Sequence, residues 1–261
     1  MTEQPPALWF LFHGKNILLF PGKQGEAALP RMPLAVAEPD RAVRHTLGAH
    51  NNTPCFALAV SELPPDADER FVETDLRASH TVLGDELHAL AGKGHELVYW
   101  DMHSRCCPAC GTPTRWKTAI SKECLACGDE LFPVISVAII VLIRKGEEAL
   151  LVRAHNFRGN FYGLVAGFLE PGETLEECVT REVREETNLK VRNIAYFGSQ
   201  PWPYPSGLMV GFTADYAGGR IKVQKSELRD ARFFSRDNVP EMPSKHSIAR
   251  RLIDCWLAQK C

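Results

Sequence analysis

Two sets of side chains in this sequence have the type and spacing of chemical groups rather than of packing. The first is sulfur. Cys107-Pro108-Ala109-Cys110 and Cys124-Leu125-Ala126-Cys127 are two CxxC elements thirteen residues apart, each followed by glycine, Gly111 and Gly128. The two-residue gap lets both sulfurs of an element reach one ion, and glycine permits the tight turn behind them. Four thiolates complete the tetrahedron of a structural Zn²⁺ and leave no open position. Redox-active dithiols are the competing reading, but no thioredoxin-like βαβ pattern surrounds either element. Cys106 adjoins Cys107; Cys107 is the expected ligand because it keeps the gap to Cys110. Cys55, Cys178, Cys255 and Cys261 read as small hydrophobes or surface thiols.

The second set is carboxylate. Residues 167–189 read GFLEPGETLEECVTREVREETNL. Thr174 is a good N-cap and Glu177, three residues on, completes a capping box, so the spacing predicts a helix over 175–187. Leu175, Cys178, Val179 and Val183 form one apolar stripe. At 3.6 residues per turn Glu182 and Glu186 project along that same stripe, with Glu185 on its flank. Carboxylates at a core edge repel one another and lose hydration, which costs several kcal/mol per ion if they stay unpaired. A divalent cation such as Mg²⁺ or Mn²⁺ resolves this, since it takes carboxylate oxygens, waters and substrate phosphates. A solvated acidic face with Arg181 and Arg184 as partners is the plainer alternative.

Downstream, residues 199–207 read SQPWPYPSG, with three prolines alternating with aromatics. Such a loop is stiff and presents flat rings, suited to a nicotinamide or purine face. A surface loop with Trp202 packed on the core is the other reading.

These groups need elements to hold them. The chain has 261 residues, 30 Lys+Arg against 32 Asp+Glu, a net charge of −2, and 45% hydrophobic residues. That suits a globular protein with one large domain or two to three small ones, and excludes a strongly basic nucleic-acid coat. The longest apolar run, Val134–Ile143, is far short of the ~20 residues a bilayer needs. Glu3 stands where a secretory signal would be basic, so a cytoplasmic, reducing compartment and no membrane are expected. Three textures follow one another. Residues 1–102 carry short apolar pieces (Leu8–Phe12, Ile17–Phe20, Phe56–Val60, Glu96–Trp100) between Pro- and Gly-rich turns, as in strands and loops, with one or two helical turns over Asp85–Ala91. Residues 103–131 are the cysteine-rich segment, and 132–261 read as α/β. Within the latter, Val134–Ile143 fits a strand buried on both faces, with Ala149–Arg153 as its hairpin partner.

The acidic segment closely resembles the Nudix box, G-x5-E-x7-R-E-U-x-E-E-x-G-U with U apolar. Gly167, Glu173, Arg181, Glu182, Val183, Glu185, Glu186 and Leu189 fill its defined positions, and Asn188 stands where the box has glycine. Asn is the next-best residue for the left-handed position that ends a helix. The resemblance implies an α/β/α sandwich and metal-dependent attack of water on a diphosphate. It assigns divalent ions to Glu182, Glu185, Glu186 and the Ala166 carbonyl, with Glu186 the leading catalytic carboxylate and Arg181 pinning Glu173. The 199–207 string is similar to the SQPWPFPxS array of the NADH pyrophosphatase branch, with Tyr204 in place of Phe. The preceding zinc ribbon and the SIARRLI string over 247–253 belong to the same branch. That branch implies cleavage of NADH or NAD⁺ into a nicotinamide mononucleotide and AMP, and removal of NAD caps from RNA 5′ ends. It further implies that Phe168 stacks on nicotinamide, that Phe132 contacts nucleotide, and that Gln200, Pro201, Trp202, Pro203, Tyr204, Pro205, Ser206, Gly207 and Ala249 line the pocket. Glu227 would complete the metal site, in a homodimer. Residues 1–102, β-rich with some helix, resemble the branch only loosely and read as a structural or dimerising domain.

Two rivals stay open at this level. One is a Nudix enzyme acting on another nucleoside diphosphate derivative, such as ADP-ribose. The other is a non-enzymatic zinc-ribbon nucleic-acid binder with a Nudix fold used as a sensor, for which Arg105, Arg115, Lys117 and Lys122 supply a mildly basic side.

Overall fold

A computed structural model describes residues 6–21, 27–32, 43–60, 70–157 and 159–260. Glu3 and Cys261 lie outside the described residues. The chain forms two compact units: residues 1–134 with 203–206, and residues 135–202 with 207–261.

In the first unit, β1 (Ala7–His13) and β2 (Asn16–Pro21) form an antiparallel hairpin, and β1 runs parallel to β6 (Thr53–Ala59). Strands β3 (Ala27–Ala28), β4 (Arg31–Met32), β5 (His45–His50) and β7 (Val72–Asp75) extend this sheet. Helix α1 (His80–His103) packs against β1, β5 and β6, with a break at Gly84. The sequence suggested a much shorter helix over Asp85–Ala91 and an extended piece over Glu96–Trp100. Both belong to α1. Glycines 92 and 94 weaken the helical signal locally, yet here they permit close approach: a Cβ on Gly94 would stand 2.9 Å from Ala57 Cβ. The buried Ala91, His95 and Val98 complete a helical stripe that tertiary contact makes worthwhile.

Beyond α1, β8 (Thr114–Thr118), β9 (Ser121–Cys124) and β10 (Glu130–Leu131) form a three-stranded antiparallel sheet. It is joined to α1 by charge. Lys122, in β9, is buried with its Nζ 2.5 Å from Asp101 Oδ1 and above the rings of Trp100 and Trp116. His45 Nε2 stands 3.4 Å from the other oxygen of Asp101. Burial alone would raise the Asp101 carboxyl, but the hydrogen bonds from His45 and Lys122 outweigh it, and its pKa falls below the usual value.

The second unit is a sheet ordered β14-β15-β11-β12-β16, from β11 (Ser136–Lys145), β12 (Glu148–Ala154), β14 (Lys190–Pro201), β15 (Gly207–Gly218) and β16 (Leu228–Ser235), with β13 (Val165–Phe168) paired to β11. Central β11 shows how its layers arise. Ile139, Val141 and Ile143 enter a core with Cys178, Val179 and Val183 of α2 (Leu175–Thr187), while Ile140 and Leu142 join Leu252, Ile253 and Trp256 of α3 (Ile248–Leu257). Successive side chains of a strand point to opposite faces, so one doubly buried strand supports a helix on each side. This is the expected α/β/α sandwich. The apolar run was expected to be strand from Val134; β11 begins at Ser136, and Val134 and Ile135 are exposed.

Candidate active site

Local sequence builds α2 as the capping box requires. Thr174 Oγ1 accepts from the Glu177 amide, and the Glu177 carboxylate accepts from the Thr174 amide. At the other end Asn188 takes the left-handed conformation, φ 61°, and its amide closes on Arg184. Loss of the Thr174 N-cap would cost about 1 kcal/mol. Fixing both ends fixes which residues face the sheet. Glu182 and Glu186 are 8% and 4% exposed, as the stripe implies, whereas the Glu185 side chain is 54% exposed.

Arg181 organises the approach to these acids. Its Nε and Nη2 grip the two oxygens of Glu173 at 2.5 and 2.9 Å, a bidentate pair, and Nη2 also donates to the Phe168 carbonyl at 2.9 Å. That guanidinium holds Glu173 down at about 2, helped by the Glu170 amide. Arg181 Nη1 reaches Glu182 at 2.8 Å and Glu185 at 3.2 Å. One arginine thus ties the loop after β13 to two acids of the helix.

Glu186 has no such partner. Its Oε2 is buried without a hydrogen bond among the described residues. Burial first, then the charges of Glu182, Glu227 and Glu185, pushes its pKa up to about 8. Glu182 is also raised, by burial against the pull of Arg181. Gly167 completes the cradle: a Cβ there would overlap the Glu182 carboxylate. An orphaned buried oxygen, mutually repelling acids and a backbone cleared of side chain fit a hard divalent cation. Among the described residues these carboxylates do not close to ligand spacing as the four sulfurs described below do, and Arg181 is ion-paired to Glu182 and Glu185. Ala166 lies in β13 opposite Ile140.

Glu227 is far from the acidic motif in sequence. The segment 222–228 reaches α2 through backbone bonds from Lys222 to Thr187 and from Gln224 to Glu186, each 2.9 Å. Gln224 Nε2 then donates to Glu227 Oε1 at 3.2 Å. The His155 amide donates to the Glu227 carbonyl, and its Nε2 lies 3.1 Å from that of Lys225. Sequence reasoning passed over Gln224 and His155, because no local periodicity links them to α2.

The Pro-aromatic array is more structural than its composition implied. Gln200 accepts from the Ile248 amide at 2.6 Å and donates to the His246 carbonyl at 3.0 Å, holding the start of α3 and so Ala249. Trp202 N–H closes the loop on the Gly207 carbonyl at 2.7 Å, and Ser206 Oγ donates to Val134 O at 2.9 Å. Pro203 is buried and Tyr204 packs against the core of β1, β6 and α1, so the Tyr204 ring is not a free flat face. Pro201 and Pro205 are exposed. Phe168 and Phe132 do present free rings, 65% and 54% exposed.

The cysteines form the separate second centre. Cys107, Cys110, Cys124 and Cys127 bring their sulfurs within 4.8 Å of one another, with close pairs at 3.4, 3.7 and 3.8 Å. A tetrahedron with Zn–S of about 2.3 Å has S–S edges of about 3.8 Å, so the cluster already has the size of the ion's shell. Gly111 and Gly128 turn at positive φ behind it. Amides of Cys127 and Ala126 point at Cys124 Sγ and pull that thiol down to about 6. Cys106 is exposed and bridges Pro113 instead. Cys55 and Cys178 are buried and Cys255 is half-buried, and all are free thiols.

Residues 133–257 match the NUDIX domain, and residues 6–100 match the NADH pyrophosphatase-like rudimentary NUDIX domain. The NAD-capped RNA hydrolase NudC of Pseudomonas entomophila is 39% identical over 90% of this chain and 84% of its own length. That of Pectobacterium atrosepticum is 44% identical over 70% and 71%, and that of Pseudomonas fluorescens 36% over 98% and 91%. With a buried acidic cradle on α2 and a four-cysteine cluster beside a rudimentary partner domain, this chain belongs to the Nudix hydrolase family, in its NADH pyrophosphatase branch.

Proposed function

We propose that this enzyme hydrolyses the pyrophosphate bond of NADH or NAD⁺ to a nicotinamide mononucleotide and AMP, and removes NAD caps from RNA 5′ ends. The observation that carries the reading is Glu186, whose buried Oε2 has no hydrogen bond among the described residues and which sits among the charges of Glu182, Glu185 and Glu227, in a chain related over nine-tenths of its length to a NAD-capped RNA hydrolase.

Glu182, Glu185, Glu186, Glu227 and the Ala166 carbonyl would hold Mg²⁺ or Mn²⁺. Such ions neutralise charge on the leaving phosphate and bring the pKa of bound water toward neutrality. Without an ion, burial and the charges of Glu182, Glu227 and Glu185 push Glu186 up to about 8, so a bound cation would offset that repulsion and hold its carboxylate ionised. Arg181 keeps Glu173 ionised and the β13–α2 loop in place. Phe168 stacks on the nicotinamide ring and Phe132 contacts nucleotide, each offering an exposed aromatic surface. The loop Gln200–Gly207, with Ala249, orients the dinucleotide. The four cysteines hold Zn²⁺ as a structural staple, since a closed thiolate set leaves no coordination site for substrate. The chain acts as a homodimer in the cytoplasm; no described helix is long and apolar enough to cross a membrane.

The test is AMP release from NADH, and from a short NAD-capped RNA, with Mg²⁺ or Mn²⁺ present. Turnover of both is expected. Turnover of ADP-ribose alone would place the enzyme on another nucleoside diphosphate derivative, and nucleic-acid binding without turnover of any substrate would make it a sensor.

A further inference from the structure

Residues 203–206 belong to the N-terminal unit although the strands on either side, β14 and β15, belong to the Nudix sheet. The hydrogen bond from Trp202 to Gly207 closes the base of this loop. Its apex is held by side chains from residues 77–95. Pro203 lies on Gly92 of α1 so closely that a Cβ there would stand 2.9 Å from Pro203 Cγ. The Arg77 guanidinium stands 4.5 Å above the centre of the Tyr204 ring.

A hydrogen-bond relay fixes the other end of that ring. Ser79 Oγ donates to the Leu76 carbonyl at 2.8 Å, which leaves the oxygen to accept from His88 Nδ1 at 3.3 Å. Nε2 of His88 is then the acceptor, and Tyr204 Oη lies 3.3 Å from it. His95 is buried one turn beyond Gly92, where burial lowers its pKa against the opposing pull of the carbonyls of Pro205, Gly14 and Pro203. The hydroxyl that completes the relay belongs to Tyr204, where the array pattern has Phe; Gly207 likewise stands where the pattern ends in Ser. None of Arg77, Ser79, His88 or Gly92 has a part in either metal centre.

We propose that Gly92, His88 and Arg77 of the N-terminal unit are positioning residues for substrate recognition: they seat Pro203 and Tyr204 and so set the conformation of the loop that reads the dinucleotide. The N-terminal unit thereby tunes affinity for the NAD end without touching the diphosphate chemistry. This rests on the reading that the loop recognises NAD(H).

The experiment is steady-state AMP release from NADH by the full-length chain, with KM, kcat, melting temperature and zinc content measured for each variant. Gly92→Ala improves helix propensity while driving a methyl group into Pro203, so the fold is kept and the loop is displaced. We expect KM to rise about tenfold with kcat within about threefold, and an unchanged or higher melting temperature. In a Pro203→Ala background, which deletes the opposing Cγ, adding Gly92→Ala should change KM less than about twofold. Arg77→Ala/His88→Ala, which spares the helix packing, should raise KM on its own.

An active wild type whose KM moves less than about twofold in both Gly92→Ala and Arg77→Ala/His88→Ala would overturn the positioning role while leaving the substrate reading intact. So would an equal effect of Gly92→Ala in both backgrounds, since the damage would then not pass through Pro203. A folded, zinc-loaded wild type that releases no AMP from NADH would overturn the substrate reading itself, and the positioning role with it.

Discussion

The α-carbon of Gly167 faces the carboxylate of Glu182 with no space for even a methyl group between them. This contact aligns β13, which carries Ala166 and Phe168, with the acidic face of α2. Gly167→Ala must push Glu182 aside or lift β13. Displacing a catalytic group by about 1 Å costs on the order of 100-fold in rate. We therefore expect AMP release to fall by about that factor, chiefly in kcat, with the zinc content unchanged. Near-normal turnover would show that Glu182 need not sit where the structure holds it.

Glu186 makes a prediction about stability as well as rate. Its pKa rises from the ordinary 4.5 to about 8 on folding, so folding favours the protonated form. For such a raised carboxyl, stability is greatest below about pH 4.5 and is lost as pH rises through about 8. Protein freed of Mg²⁺ and Mn²⁺ but still holding its zinc should thus melt at lower temperature as pH climbs over that range. Glu186→Gln should remove this part of the slope, keep the fold and lower turnover by several orders of magnitude. A pH-independent difference in melting temperature between the two proteins would dismiss the buried charge as its cause.

The thiolate cluster and the buried ion pair should report together on the N-terminal unit. Cys110→Ser opens the closed shell and should lower zinc content and melting temperature in parallel. Lys122→Met leaves zinc ligands intact but strips Asp101 of its closest cation, and loss of one partner of a buried pair costs about 3–5 kcal/mol. Zinc analysis beside thermal melts separates the two effects. A Cys110→Ser chain that lost its zinc yet melted like wild type would end the staple reading.

Phe168→Ala should impair turnover of NADH and of a short NAD-capped RNA alike, because one exposed ring would serve the nicotinamide in both. Stacking on an aromatic contributes about 1–3 kcal/mol, or roughly 5- to 150-fold in kcat/KM. The comparison is a paired kinetic measurement at several salt concentrations. With a net charge of −2, little dependence on RNA sequence is expected. Loss on one substrate alone would break the shared-pocket idea, and a steep salt dependence confined to RNA would reveal a basic face.

What could be read directly from the residues was local. The α2 boundaries, its capping box, the inward turn of Glu182 and Glu186 and the two cysteine knuckles depend on spacings of two to four residues, and backbone geometry converts such spacings into shared faces without knowledge of the rest of the chain. The NAD-directed reading came through resemblance carried by longer strings, not through spacing alone. Tertiary structure decided whatever depends on partners distant in sequence. Gly92 and Gly94 weaken the helical signal, yet α1 runs through them to His103, with Pro203 and Ala57 pressed close against them. Gln224 approaches Glu186 only because β15 and β16 bracket the segment between them. Tyr204 looks like an offered aromatic face, yet its ring is packed against the N-terminal core, because burial of an aromatic depends on which surface the chain folds against it and not on its neighbours in sequence.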